Sequence, residues 1–336
     1  MTSVLESLGR SPHDDLSAAA DALVGRVVIV HGASADVIWQ SANGAEDSGL
    51  CALAKSLDVT PVAGDWVCVS EERITRVLAR RSVLRRPNPY GREPQIMAAN
   101  VDLVMIVLAV NVDLNQRVLE RLSVMASDSG ATPVVVVTKV DDSDDVEQFC
   151  TLVTQHVPGV AIVVTSSLTG EGVEGVRELL PLGVTGVMLG ASGVGKTSLL
   201  NALEGTTEMT RSVGRSGEGR HATTTRKLYR LSSGGVLLDI PGIRLLEVVA
   251  DQRGLDQVFT DIEELSLLCR FRNCHHAGDD GCAVEAAVAS GELAASRLEM
   301  WREMQSVAHD VENRRGPADV SRARRAMKRN PPETSE

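Results

Sequence analysis

Aromatic residues are almost missing from this chain: three phenylalanines, two tyrosines and three tryptophans make up 2% of its 336 residues. That scarcity argues against a surface that holds nucleic acid mainly by stacking bases on rings, and in the N-terminal region leaves Trp39 and Trp66 as the main candidates. No apolar run approaches the length of a membrane span, so a soluble, cytoplasmic protein is expected. The net charge of −11 excludes indiscriminate binding to RNA. Cysteine is sparse, six in all, and residues 1–15 have no apolar core for export, which leaves a disulfide framework without support. What is present, 43% hydrophobic residues over this length, is enough for two or three domains with real cores.

The densest chemistry lies in Gly190, Ala191, Ser192, Gly193, Val194, Gly195, Lys196 and Thr197. An apolar strand is expected over residues 184–189 and a helix from Ser198, so the glycines fall in a strand-to-helix turn. There the backbone N–H groups converge on phosphate oxygens, with no side chains in the way. Lys196 would reach the β and γ phosphates, and Thr197 would offer its hydroxyl to a Mg²⁺ ion.

A second motif, Thr138, Lys139, Val140 and Asp141, ends a β-branched run over residues 133–137. Asp141 would then stand at the carboxyl end of a parallel strand, where a carboxylate accepts from both N1–H and the 2-amino group of guanine. A further strand over 160–164 ends in Thr165, Ser166 and Ser167, in a loop that resembles the one backing the guanine ring in GTPases. In ordinary GTPases the guanine motif follows the phosphate loop; here it precedes it, so the domain reads as circularly permuted. After the phosphate loop, Asp239 ends a short apolar strand, where it can hold Mg²⁺ through water, and the N–H of Gly242 can sense the γ-phosphate. Between them lies the polar loop Gly219, Arg220, His221, Ala222, Thr223, Thr224 and Thr225, one of whose threonines can complete the metal shell.

Near the C-terminus, Cys269, Cys274 and Cys282 lie close together with His275 and His276. Three thiolates and one imidazole form a closed tetrahedral set suited to one structural Zn²⁺, and spacing alone does not decide between the two histidines. Cys51, Cys68 and Cys150 are scattered and read as buried small apolar residues. Short β-type runs at 27–30, 36–39, 50–52, 65–69 and 73–77, punctuated by glycine turns, fit a small five-stranded barrel. Basic residues gather in two places: Arg76, Arg80, Arg81, Arg85, Arg86 and Arg92, and then Arg314, Arg315, Arg322, Arg324, Arg325, Lys328 and Arg329. On an acidic body such patches suit docking on RNA at chosen points.

The motif order, the Gly-Arg-His loop with its threonines, the phosphate loop and the cysteine pattern together resemble the ribosome small-subunit-dependent GTPase A family, also called YjeQ or RsgA, over roughly residues 25–310. The resemblance implies an α/β fold: a circularly permuted P-loop GTPase domain, an N-terminal OB-fold β-barrel and a C-terminal zinc-binding helical module. It places a flexible extension at 1–22, the OB-fold at 23–92, the GTPase domain at 93–250, the zinc-binding domain at 251–311 and a basic flexible tail at 312–336. It further implies GTP and GDP as ligands, the small ribosomal subunit and its rRNA as partner, a monomer acting in the cytoplasm, and His276 as the fourth zinc ligand. His221 becomes the candidate to orient water, with Lys196 and Thr224 beside it in the catalytic set and Ser166 and Ser198 in the nucleotide pocket. Thr138 stands where the family usually has Asn, Ile240 where it usually has Thr, Ala222 where it usually has a third hydroxyl, and Ile243 where many GTPases place a glutamine. Slow intrinsic hydrolysis is expected from the last of these. The alternative is a nucleotide-gated RNA or ribosome clamp with negligible turnover; a small-molecule kinase would leave the guanine motif and Gly242 unexplained.

Overall fold

The computed structural model describes residues 3–19, 22–86, 94–204, 227–239 and 252–314. They fall into two compact units, one within Met1–Pro87 and Pro94–Val248, the other chiefly within Val249–Glu336.

In the first unit the β-type runs become β1 (Leu23–His31), β2 (Ser34–Gln40), β3 (Glu46–Leu53), β4 (Trp66–Ser70) and β5 (Arg73–Val77). Val27, Val37, Trp39, Cys51, Val67, Val69 and Ile74 share one core, which a single curled sheet can hide only by closing on itself. It closes in the order β1-β2-β3-β5-β4, with β3 parallel to β5 and β4 returning to β1, the arrangement of an OB-fold. Trp39 is spent in that core, while Trp66 is covered by Arg26. Trp66 is fully buried and Trp39 is 7% exposed, so neither presents a face to a base. Cys51 and Cys68 are buried as expected, whereas Cys150 is only half-buried.

A hairpin of β6 (Val83–Arg86) and β7 (Gln95–Ala99) precedes a six-stranded sheet. Its strands are β8 (Leu103–Ala109), β9 (Thr132–Thr138), β10 (Ala161–Val164), β11 (Thr185–Leu189), β12 (Lys227–Arg230) and β13 (Val236–Asp239), ordered β10-β9-β8-β11-β13-β12. All neighbours are parallel except β12 and β13. Central parallel strands are covered on both faces and therefore read as continuous apolar runs, as β8 and β9 do. On one face Leu103, Met105, Val134 and Val136 pack with Val176, Leu199 and Leu203 of the helices Val173–Glu178 and Lys196–Glu204. The guanine-motif strand β9 lies two places from the phosphate-loop strand β11 and is reached first along the chain, which is the permuted order.

Residues 3–19, expected within a flexible extension, instead pack onto this unit. Ser3 caps the helix Val4–Ser7, and Leu5 and Leu8 are buried. Their anchor is Arg26, a fully buried cation stacked 4.7 Å from the Trp66 ring. Its guanidinium donates to the carbonyls of Leu8 at 2.7 Å, Gly9 at 3.0 Å, Gly64 at 3.1 Å and Asn100 at 3.0 Å. Burial pushes the Arg26 pKa down to about 10, opposed by Asp14, so the side chain stays charged at neutral pH. Arg26→Met would strand the Leu8 and Gly9 carbonyls in the interior at roughly 1–3 kcal/mol each, the Gly64 and Asn100 carbonyls keeping Asn100 Nδ2 and Arg81 as donors, so a loss of at least ~2 kcal/mol is expected in guanidinium unfolding of the whole chain. A midpoint shift worth less than ~1 kcal/mol would show that the segment is not anchored there.

Within the arginine run of this unit, Arg80 and Arg81 are consumed by internal ion pairs, while Arg76 stays exposed. Arg80 forms a two-pronged pair with Asp65 at 2.7 and 2.6 Å, and Arg81 pairs with Asp14 at 2.8 Å and Asp102 at 2.7 Å. Arg76 donates to the Ala18 carbonyl, Arg85 lies 3.9 Å from Asp128, and Arg86 donates to Gln95. The carboxylates that take up these cations lie far away in sequence, so the cluster looked free. Arg92 lies outside the described residues.

The second unit has helices Gln252–Val258, Thr260–Ser266, Ala283–Ser290 and Ala295–Arg314 around a turn-rich stretch at 267–282. Arg297 staples it: the buried guanidinium donates to the Val258 carbonyl and the Asp261 carboxylate, both at 2.8 Å, and stacks over Phe259. Among the described residues no helix is long and apolar enough to cross a membrane.

Candidate nucleotide site and metal cluster

Because β8, β9, β10, β11 and β13 run parallel, their carboxyl ends at Ala109, Thr138, Val164, Leu189 and Asp239 share one edge of the sheet. Ligands of open α/β sheets bind outside that edge. The loop leaving β11 turns through Gly190 at φ 155°, Gly193 at 82° and Gly195 at 96° before the helix Lys196–Glu204 begins. A Cβ on Gly190 would lie 2.4 Å from the Val107 carbonyl oxygen, so only glycine lets the loop pass this close to β8. Buried Val194 packs against Val107 and Ala109, pinning the loop to the sheet. Ala191, Ser192, Thr197 and Ser198 remain exposed, the last two in the first turn of the helix, where amide N–H groups and the helix dipole favour an anion. Lys196 Nζ lies over the loop, donating to the carbonyls of Gly190 at 2.8 Å and Ala191 at 2.6 Å.

Thr138 does something different from what its place in the guanine motif implied. Its hydroxyl is buried, 3.0 Å from the Leu108 carbonyl oxygen and 2.6 Å from that of Val194. It ties the end of β9 to the shoulder of the phosphate loop. Lys139 takes the left-handed conformation at φ 60°, and Val140–Asp142 form a single 3₁₀ turn carrying Asp141. The Ser166 hydroxyl donates to Asp141 Oδ1 in a short hydrogen bond, fixing the carboxylate that would read guanine. The loop behind it is held by bonds from the Ser166 amide and the Thr165 hydroxyl to the Glu171 carbonyl, each 2.9 Å. Gly172, at φ 65°, is obligatory there: a Cβ would sit 1.9 Å from the Val164 carbonyl oxygen. Asn111 escaped the motif reading; its amide donates to Asp142 at 2.6 Å and joins the exits of β8 and β9.

Asp239 closes β13 at the same edge, in register with Lys227 of β12. His221, Ala222, Thr223, Thr224 and Thr225, with Ile240, Gly242 and Ile243, lie outside the described residues.

In the second unit Cys269, Cys274, His276 and Cys282 bring one ligand atom each within 4.8 Å of one another. His276 Nδ1 lies 3.6 Å from Cys269 Sγ and 3.4 Å from Cys282 Sγ, close to the roughly 3.5–3.8 Å edges of a tetrahedron with Zn–S about 2.3 Å and Zn–N about 2.1 Å. Of the two histidines, His276 is the one that joins the cluster: it is buried with its ring against Trp301 at 5.3 Å, while His275 is exposed. His276 reaches inward from a left-handed backbone at φ 54°. Amides at the start of the helix Ala283–Ser290 donate to sulfur, Ala283 N to Cys269 at 3.3 Å and Glu285 N to Cys282 at 3.4 Å. Burial opposes ionisation of Cys269, yet amide hydrogen bonds from Ala283 and Val284 and the neighbouring thiols hold it below the ordinary thiol range. Burial and the adjoining sulfurs push Cys274 up to about 12, and burial keeps His276 below the usual imidazole value. A dication that binds such a set must draw protons off its thiols.

The family model described as RsgA GTPase matches residues 77–249, from β5 through the six-stranded sheet. A protein of Streptomyces avermitilis named small ribosomal subunit biogenesis GTPase RsgA is 40% identical over 294 residues, covering 84% of this chain and 78% of its own. The protein named small ribosomal subunit biogenesis GTPase RsgA 1 of Listeria innocua is 39% identical over 248 residues, 73% of this chain and 71% of its own. Among solved structures, YjeQ from Thermotoga maritima superposes with a TM-score of 0.61 at 28% identity, covering 85% of this chain and 98% of that one. YloQ, described as a circularly permuted GTPase, matches with a TM-score of 0.60 at 25% identity, over 90% and 98%.

Proposed function

The chain belongs to the RsgA GTPase family, and we propose that it hydrolyses GTP to GDP and phosphate as an assembly factor in late maturation of the small ribosomal subunit, which stimulates the reaction. The observation that carries this reading is Thr138: one buried hydroxyl locks the strand of the guanine-reading carboxylate to the phosphate loop, making two distant motifs one pocket. Asp141 accepts from the guanine edge, oriented by Ser166. Loop amides and Lys196 cradle the phosphates and neutralise charge that grows as the bond between the β and γ phosphates breaks. Thr197, with Asp239 through water, would hold a Mg²⁺ ion, which when bound offsets the charge of the same oxygens. His221 orients the attacking water and Thr224 joins the pocket in the GTP state. With Ile243 in place of a glutamine, that water is poorly aimed in the free protein, so docking on the subunit supplies the missing order. The protein acts in the cytoplasm as a monomer.

Single-turnover hydrolysis measured with and without purified small subunits tests this. Acceleration of at least ~10-fold is expected, since group positioning alone commonly supplies that much. Nucleotide-dependent subunit binding with no turnover would favour the clamp instead.

The cysteine cluster takes one structural Zn²⁺ per chain, because three thiols and one imidazole leave no open position for chemistry. Cys274→Ser should lose about one zinc per chain and loosen the second unit, seen as faster amide exchange over residues 259–282, while GTP binding persists. Zinc uptake should also weaken as pH falls, since Cys274 must give up a proton to bind. A metal-free wild type with full exchange protection would contradict this assignment.

A further inference from the structure

The short turn Val140–Asp142 carries two carboxylates side by side, Asp141 and Asp142, whereas the paired donors of a guanine edge take one. At about three residues per turn of a 3₁₀ helix, neighbouring side chains leave roughly 120° apart, so the two carboxylates point in different directions. The strand that feeds this turn, β9, lies between β8 and β10 in the sheet. Each carboxylate is tied to a different neighbour. On the β10 side the Ser166 hydroxyl donates to Asp141, and the Val140 amide reaches the Thr165 carbonyl at 3.5 Å. On the β8 side the Asn111 amide donates to Asp142 Oδ2 at 2.6 Å. The backbone sets Asn111 there: the Val110 amide carries the β8–β9 ladder on to the Thr138 carbonyl at 3.1 Å, and the Val112 amide turns back to Ala109 at 3.2 Å.

The other holds on this turn are thin. Thr138 has one hydroxyl hydrogen for two carbonyls, those of Leu108 and Val194, whereas an asparagine in its place would bring two N–H donors. Lys139 enters the turn in the left-handed region at φ 60°, a conformation that costs energy in any residue with a side chain and persists only where its surroundings hold it. Asp141 and Asp142 repel each other, and Asp144 and Asp145 follow closely in the chain. Rotation of the turn by one residue would offer Asp142 in place of Asp141. We propose that Asn111 is a positioning residue for guanine recognition: by drawing Asp142 toward β8 it fixes the rotation of the turn and leaves Asp141 to the base. This rests on the reading of Asp141 as the guanine acceptor. The base is common to GTP and GDP, so the effect falls on the binding of both and spares the chemical step.

Equilibrium binding of GTP, GDP and ATP to the full chain, beside single-turnover hydrolysis at saturating GTP, tests it. Asn111→Ala should weaken GTP and GDP equally, about two- to tenfold, the scale of one hydrogen bond, while the saturated rate is unchanged. Asn111→Asp sets a third carboxylate against the turn and should weaken both further. Adding Asp142→Asn to Asn111→Asp restores a donor and an acceptor with their places exchanged, and binding should recover. Asn111 and Asp142 are exposed, so all these variants should melt with the wild type. Wild-type GTP affinity in both Asn111→Ala and Asn111→Asp would overturn the proposal, as would a loss that the exchanged pair leaves unrecovered. Equal binding of ATP and GTP by the wild type would instead remove the Asp141 reading, and this proposal with it.

Discussion

Asp141→Asn should convert a GTP-selective pocket into one that prefers xanthosine triphosphate. Guanine presents two adjacent donors, N1–H and the 2-amino group, and a carboxylate can accept both. Charge-assisted bonds of this kind contribute about 1.5–3 kcal/mol each, so the asparagine variant should lose of order 3 kcal/mol or more for GTP, a factor above ~100. Its amide offers one donor and one acceptor, the complement of xanthine, which carries a carbonyl where guanine has the amine. The structure sharpens the expectation, because the Ser166 hydroxyl already donates to Asp141 Oδ1 and holds the group in place. Competition titrations with GTP, xanthosine triphosphate and ATP decide it. If GTP and xanthosine triphosphate weakened equally, Asp141 would be serving the loop and not the base.

That pocket was legible in the sequence to the extent that its parts are local. A β-branched run ending in Thr138 to Asp141, and an apolar strand feeding a glycine turn and a helix, each carry their conformation in adjacent residues, and β9 and β11 form where those patterns lie. The barrel was legible for the same reason, with glycines marking its turns. What stayed hidden depends on partners distant in the chain. Thr138 meets the phosphate loop across 56 positions, and Arg26 meets Asn100 across 74. No local pattern distinguishes an arginine that pairs with Asp65 or Asp102 from one that waits for phosphate, so the run from Arg76 to Arg86 read as a docking face. Residues 3–19 read as a loose extension because few of their apolar residues are buried, Leu5, Leu8 and Ala19, and their main attachment is a set of backbone carbonyls, which the sequence does not display. The metal set lay between these cases: the cysteine spacing marked the cluster, but only the inward-turned backbone at His276 separates it from His275.

Lys196→Ala should abolish hydrolysis, and the contrast with His221→Ala should show how the rate is divided between phosphate binding and water positioning. Lys196 already lies over the phosphate loop through the Gly190 and Ala191 carbonyls, so with nucleotide bound its ammonium has little distance to travel to the β and γ oxygens. Removing it deletes a full charge from a site where negative charge accumulates. Loss of one such preorganised contact costs roughly 10²–10³ in rate, and here weaker GTP binding should add to that. Single-turnover rates should fall by at least ~10³ with or without the small subunit. His221 belongs to the Gly-Arg-His loop outside the described residues, and its proposed role as water-orienting group makes a different forecast. His221→Ala should bind GTP as the wild type does and lose most of the subunit-stimulated rate, while the slow rate of the free protein barely changes. Both quantities come from one experiment: equilibrium binding of a GTP analogue beside single-turnover hydrolysis, each with and without subunits. Retention of full stimulation in His221→Ala would transfer the positioning role to another group of that loop, with Thr224 the next to replace.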